Sequence, residues 1–294
     1  VEFQVTVDQQ SPSAKSPVGA LRDLNSSDLG QLWDLIDTDP DAYCVVAERV
    51  RVGELESSSS GGPTWGWFVE GRLRSALYVG ANLMPIDATA TALAAFGARL
   101  RAAGRRSSAI VGYRSDVLEL WQHLKPVWSA AREVREDQPL MVMSDPPLVD
   151  QDDEVVQIAM TDLDAIMPPS VAMFTEEVGV SPIASGRGLA YRARVASSIL
   201  EGRTYARFHE GAVVFKAEVG AVGRGSCQLQ GVWIDPRLRG TGIAIPAVAA
   251  VVAAATRDHA PRVSLYANRH NTAALHTYQR VGFRQVGTFA TILF

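Results

Sequence analysis

Val232-Trp233-Ile234-Asp235-Pro236-Arg237-Leu238-Arg239-Gly240-Thr241-Gly242-Ile243-Ala244 decides the fold. It reads as a strand that ends in a basic, glycine-containing turn and runs straight into a long Ala/Val-rich helix. Such a turn gathers free backbone N–H groups at the positive end of a helix dipole, an arrangement suited to a phosphate or pyrophosphate. The glycines let the backbone approach an anion without a Cβ in the way. Arg237 and Arg239 place charge-assisted donors beside it. A dinucleotide-binding Gly-x-Gly-x-x-Gly turn is disfavoured, because its third glycine would fall at Ile245. A P-loop is excluded, because no Gly-Lys-Ser/Thr follows. Pro246 departs from a regular helix start and alters how many N–H groups aim at the anion.

A second block lies further on: Asn268-Arg269-His270-Asn271-Thr272-Ala273-Ala274-Leu275-His276-Thr277-Tyr278-Gln279-Arg280-Val281-Gly282-Phe283. The two blocks, in this order and separation, resemble the GNAT-type N-acetyltransferases. Arg237, Gly240 and Gly242 fit the family's pyrophosphate motif, [Gln/Arg]-x-x-Gly-x-[Gly/Ala]. The second block is similar to its late Asn-x-x-Ala-x-x-x-Tyr-x-x-x-Gly-Phe signature. The resemblance is strong over the last half of the chain and faint over the first.

The resemblance implies an acetyl-CoA site. Arg237, Arg239, Gly240, Thr241, Gly242, Ile243 and Ala244 would hold the pyrophosphate. Val232, Trp233 and Ile234 would pair their backbone with the pantetheine arm, on a strand splayed from its parallel neighbour, and supply an N–H that polarises the thioester oxygen. Tyr278 would be the general acid that protonates the leaving thiolate; its plain alternative is a tyrosine packed under Phe283. Asn271 would touch the CoA arm or simply cap its helix. No carboxylate stands on the strand before the turn. Glu218, Glu176 and Glu177 remain as bases acting through water, each read first as a solvated surface charge. His276 reads as solvent-facing or structural.

Composition sets the outer limits. The chain has 294 residues, 47% of them apolar and 20% charged, which suits a soluble globular protein with room for two domains. A net charge of −4 gives no basic field for nucleic acid or an anionic membrane. The apolar run from Ile243 to Ala255 falls short of the ~20 residues that a membrane span needs. No signal-peptide pattern opens the sequence, so a cytoplasmic location is expected. Cys44 and Cys227, one in each half, read as reduced buried thiols. No His, Cys or Asp pair has metal-ligand spacing, and no Ser/His/Asp or Cys/His set argues for a covalent enzyme intermediate.

The order of elements runs twice. A polar, Pro/Ser-rich arm (residues 1–18) precedes a first domain (19–144), an acidic Pro-containing linker (145–154) and a second domain (155–294). Each domain reads as strand, helices, hairpin, strand, helix, strand, helix, strand. The hairpins are marked by Glu70-Gly71 and Glu210-Gly211. The expected fold class is α/β (α+β): two tandem GNAT-like domains, each with a mixed, mostly antiparallel sheet flanked by helices. The first-half counterpart of the phosphate turn is placed at Gly80-Ala81-Asn82-Leu83-Met84-Pro85-Ile86, which has one glycine and no arginine. That half is expected not to hold CoA, a layout similar to actinobacterial two-domain acetyltransferases with a degenerate first domain. The expected reaction is direct acetyl transfer from acetyl-CoA to an amine-bearing acceptor, with no metal and a possible homodimer. The first domain is expected to wall off the acceptor pocket or to bind a partner. The alternatives are a non-catalytic acyl-CoA sensor, an interaction module, or a tRNA-dependent aminoacyl transferase; the last is disfavoured by the missing basic surface.

Overall fold

The computed structural model describes residues 19–51 and 63–294. The arm expected at 1–18 lies outside the described residues, as does nearly all of 57–63, where four serines and two glycines predict a loop. The first segment runs β1 (Gly19–Asp23), α1 (Leu29–Ile36), α2 (Cys44–Arg51), β2 (Thr64–Val69), β3 (Arg72–Val79), β4 (Asn82–Ile86), α3 (Ala90–Ala103), β5 (Ala109–Tyr113), α4 (Arg114–Leu124) and β6 (Glu133–Met143). The second repeats that order as β7 (Val155–Gln157), α5 (Leu163–Val178), α6 (Gly188–Leu200), β8 (Thr204–His209), β9 (Ala212–Val222), β10 (Ser226–Ile234), α7 (Ala244–Asp258), β11 (Arg262–Tyr266), α8 (Thr272–Val281) and β12 (Arg284–Leu293). Both hairpins turn through a Glu-Gly pair with two positive φ angles, 52° and 76° at Glu70-Gly71 and 49° and 77° at Glu210-Gly211. Two left-handed residues match the twist of the strands they join, which is why the same dipeptide marks both.

The two segments do not keep separate sheets. All twelve strands form one sheet in the order β1-β2-β3-β4-β5-β12-β6-β11-β10-β9-β8-β7. The final strands have changed places. β12 pairs antiparallel with β5 of the first segment, while β6 pairs antiparallel with β11 of the second. β6 and β12 also pair with each other, from Arg284↔Val142 to Leu293↔Glu133. Each half is therefore closed by a strand from the other.

Alternation along the strands sends residues to two faces. On β9, Phe215, Ala217 and Val219 enter a core with Val248, Val251 and Val252 of α7 and with Tyr278 and Val281 of α8. Lys216 and Glu218 point the other way, toward α5, whose Met173 lies beside them at Gly231. α1 and α2 pack with Leu140 and Phe289. α3 and α4 pack with Ala290 and Ile292 on the opposite face of β12.

One reading from sequence is corrected. The segment 80–86 is not the first-half counterpart of the phosphate turn. Residues 82–86 are strand β4, and the connection to α3 is Asp87-Ala88-Thr89. Pro85 sits in a strand because β4 pairs with β5 only at Asn82↔Ala109 and Leu83↔Ile110, so no ladder bond is demanded of it on that side. Thr89 caps α3 by accepting from the Ala92 N–H at 3.3 Å, and Asp87 adds a negative charge. One N–H group at that helix start is thereby taken. Cys44 and Cys227 are distant only in sequence. Both are free and buried, and the Cys44 Sγ lies 3.3 Å from the Ser226 carbonyl. Burial pushes each thiol up to about 12, so neither ionises at neutral pH.

Candidate functional site

α7 begins at Ala244, so Pro246 is its third residue. An N–H there would lack a helical acceptor in any case, and proline is tolerated. Pro246 costs the helix nothing and removes one donor from its head. Four of the donors that remain are free. Ile245 N–H bonds to the Gly242 carbonyl and Ala247 N–H to that of Ile243, whereas the N–H groups of Gly240, Gly242, Ile243 and Ala244 have no acceptor among the described residues. Gly240 (φ 79°) and Gly242 (φ 91°) hold left-handed conformations, and a Cβ at either would meet open space. A residue of positive φ followed by a helical one, as Gly242 is by Ile243, turns successive N–H groups into one concavity. The turn fits a pyrophosphate.

The strand that leads into it is built to accept an extended ligand. β10 pairs with the parallel strand β11 only at Ser226↔Arg262, Cys227↔Val263 and Gln228↔Ser264. Beyond Gln228 the two strands diverge, leaving the β11-side backbone of Leu229 to Ile234 without a sheet partner. On its other side, β10 runs from Gln230↔Glu218 to Trp233↔Lys216, three steps against two, which is a β-bulge at Gly231-Val232. Gly231 has a φ of 59°, which favours glycine, and its carbonyl accepts from the Lys216 ammonium at 3.2 Å.

A cavity of about 900 Å³ opens in this splay. It brings together Val232, Trp233, Ile234, Arg239, Gly240, Gly242, Ile243, Ala244, Asn271 and Tyr278. Arg237 and Thr241 are not on its wall. The Arg237 guanidinium, 79% exposed, binds both oxygens of Asp235 at 2.7 and 3.0 Å and holds that carboxyl down at about 2. The Thr241 hydroxyl donates to the Leu238 carbonyl at 2.7 Å. Arg239 does face the cavity, where it pairs with Glu176 at 2.8 Å.

Tyr278 is packed as its plain alternative expects, and it also reaches the cavity. Its ring packs edge-on against Phe283, with centroids 5.9 Å apart, and lines the cavity as well. Its hydroxyl has no hydrogen-bond partner among the described residues. Burial, with a smaller contribution from the Glu177 charge, pushes the phenol well above its ordinary value, so it stays protonated and able to donate. Asn271 likewise does two things. It caps α8 by accepting from the Ala274 N–H at 3.2 Å, and it lies on the cavity wall.

The surface-charge reading fails for Glu218 and holds for Glu176 and Glu177, which are exposed. Glu218 is buried and ion-paired with the fully buried Lys216, one layer behind the bulge and off the cavity wall. Glu176 and Glu177, at the end of α5, are on the wall; Glu176 also accepts from the Trp233 indole at 3.4 Å. His276 stands exposed at the rim. Sequence reasoning missed Glu133 and Arg135 of β6. They line the same cavity only because the strands have changed places. No group of three His, Cys, Asp or Glu among the described residues is arranged to hold a metal. No helix among them is long and apolar enough to cross a membrane.

Comparison with known proteins places the fold. Residues 198–283 match the acetyltransferase (GNAT) family, and residues 62–166 match a domain of unknown function, DUF4081. Among curated proteins none matches the sequence. Among solved structures, an N-acetyltransferase from Sphaerobacter thermophilus is similar over 94% of this chain and 95% of its own, at 16% identity and a TM-score of 0.60. A GNAT-family acetyltransferase from Colwellia psychrerythraea covers 94% and 99%, at 12% identity and 0.57. A tandem GNAT protein from the clavulanic acid biosynthesis pathway covers 94% and 98%, at 12% identity and 0.55. At these identities the likeness is one of fold, and the class it defines is the tandem GNAT architecture. The chain carries a GNAT acetyltransferase domain in its second half, on a fold that supports acyl transfer.

Proposed function

We propose that this protein is an N-acetyltransferase that moves an acetyl group from acetyl-CoA directly to a primary amine. The carrying observation is that the free N–H groups of Gly240, Gly242, Ile243 and Ala244 open into the same cavity as the unpartnered hydroxyl of Tyr278. When bound, acetyl-CoA supplies an activated acetyl thioester. The turn at the head of α7 would grip its diphosphate, and the unpaired edge of β10 would take the amides of its arm.

The rest is work for the chain's own side chains. Glu176 and Glu177 stand at the cavity wall to receive, through water, the proton that an ammonium must lose before attack. As a C–N bond formed and the C–S bond broke, the Tyr278 hydroxyl would donate its proton to the departing sulfur, and the proton lost from the attacking nitrogen would return through water to the phenolate. The backbone at the Gly231-Val232 bulge is set to polarise the carbonyl oxygen. The acceptor is proposed as an amine of a small molecule or a protein, and the protein as cytoplasmic.

CoA release measured against small amines, aminoglycoside-type antibiotics, lysine peptides and protein N-termini tests the reading. Tyr278→Phe is expected to lower kcat by about 10²–10⁴-fold, the usual range for a positioned proton donor, while leaving CoA affinity unchanged. Because the phenol is raised above its ordinary value of about 10, the wild-type rate should show no alkaline loss below pH 10 that Tyr278→Phe abolishes. Tight CoA binding without turnover on any amine would point instead to an acyl-CoA sensor.

A further inference from the structure

β6 carries a bulge that decides where its first residues point. Its register with β12 steps from Gln138↔Phe289 to Arg135↔Thr291, three residues against two. The extra residue reverses the alternation. Without it, Arg135 would share a face with Met141 and Met143, which pack in the α7/α8 core. With it, Arg135 shares the face of Phe289 and Thr291, on the same side as α5. A bulge that turns one side chain into a cavity is a recurrent way of aiming a functional residue.

There Arg135 is held by four hydrogen bonds to three groups. It binds the Glu133 carboxylate through Nε at 2.8 Å and NH2 at 3.0 Å, and the Glu177 carboxylate through NH1 at 2.6 Å. NH2 also donates to the Glu177 main-chain carbonyl at 2.5 Å. Its side chain is only 11% exposed. Glu177 is the penultimate residue of α5, so this carbonyl is among the last four that a helix leaves unpaired, at the negative end of its dipole. The guanidinium thus caps α5 at the point where Glu176, Glu177, Val178 and Gly179 form the cavity wall. That wall shares the cavity with α7 and α8, and its Glu176 reaches the pyrophosphate turn, pairing with Arg239 at 2.8 Å.

We propose that Arg135, from the N-terminal half, is the positioning residue of the acceptor wall, and that this half is a working part of the site. The proposal rests on the acetyl-transfer reading above for its kinetic consequence and on geometry alone for its structural one. Arg135 acts by fixing the end of α5, so its removal loosens that wall. The CoA turn is held by its own backbone hydrogen bonds, none of them to α5, and touches the wall only through the exposed Arg239–Glu176 pair, a solvent-screened contact of little weight.

Hydrogen–deuterium exchange and steady-state kinetics on the full chain test it together. In Arg135→Ala, amides of residues 176–181 are expected to exchange at least tenfold faster, with residues 240–247 unchanged. The acceptor KM is expected to rise tenfold or more, with the Kd for CoA within twofold of wild type. Arg135→Lys, which keeps the charge but cannot fork onto both Glu133 and Glu177, should fall between the two in both measurements and is the readout if the alanine variant does not fold. Unchanged exchange at 176–181, or equal loss of CoA and acceptor affinity, overturns the proposal. Should no amine support turnover by wild type, the acetyl-transfer reading fails, while the exchange measurement still decides the role of Arg135.

Discussion

Gly240→Glu removes the thermal stabilisation that CoA gives the wild-type protein. A ligand present at 100 times its Kd stabilises the folded state by about 2.7 kcal/mol, several degrees in Tm for a chain of this size. A glutamate at position 240 would stand in open space on the cavity wall, where no protein atom lies within 4 Å of its Cβ. Its carboxylate would face the diphosphate across the N–H groups meant for that anion. The left-handed φ of 79° adds strain of roughly 1–2 kcal/mol. Gly240→Ala carries the same strain without the charge. Both variants should therefore melt lower than wild type when free, but only the alanine variant should regain stability with CoA. A full CoA shift in Gly240→Glu would place the anion elsewhere.

This turn was legible from sequence because its information is local. Glycines at 240 and 242 fix left-handed φ angles, and the apolar run behind them makes the helix. The Asn271-to-Phe283 block is local in the same way, with cap, Tyr278 and Phe283 set by helical spacing. Arg237 shows the limit of spacing. It fits the motif, but Asp235, two residues upstream, takes its guanidinium. Arg135 was beyond reach altogether. Its direction depends on one extra residue in β6, and its neighbours on a pairing with β11 and β12 that no local pattern encodes. Pro85 misled for a related reason. It reads as a turn unless β4 is known to splay from β5 and to ask nothing of its missing N–H.

Strand exchange makes the second half alone a poor folding unit. A fragment of residues 155–294 retains the pyrophosphate turn, α7, α8 and Tyr278, so sequence resemblance alone would expect it to bind CoA. It lacks β6, which lies between β11 and β12 and buries Leu140, Met141, Val142 and Met143 to 9% exposure or less. Losing one such side chain to alanine costs about 2–5 kcal/mol. Losing four, together with both flanking ladders, exceeds the roughly 5–15 kcal/mol by which domains are stable. β12 would also leave Phe289, Ala290 and Ile292 uncovered, since their partners in α1, α3 and α4 are gone. The fragment is expected to show no cooperative denaturant transition and to aggregate through its open strand edges. Co-expression with residues 19–154 should restore a soluble pair with a CoA-dependent Tm, because that partner carries β6 back into the gap. A lone 155–294 fragment that unfolds cooperatively and gains stability from CoA would show that the second half closes its own sheet, and the exchanged strands would then be dispensable to the site.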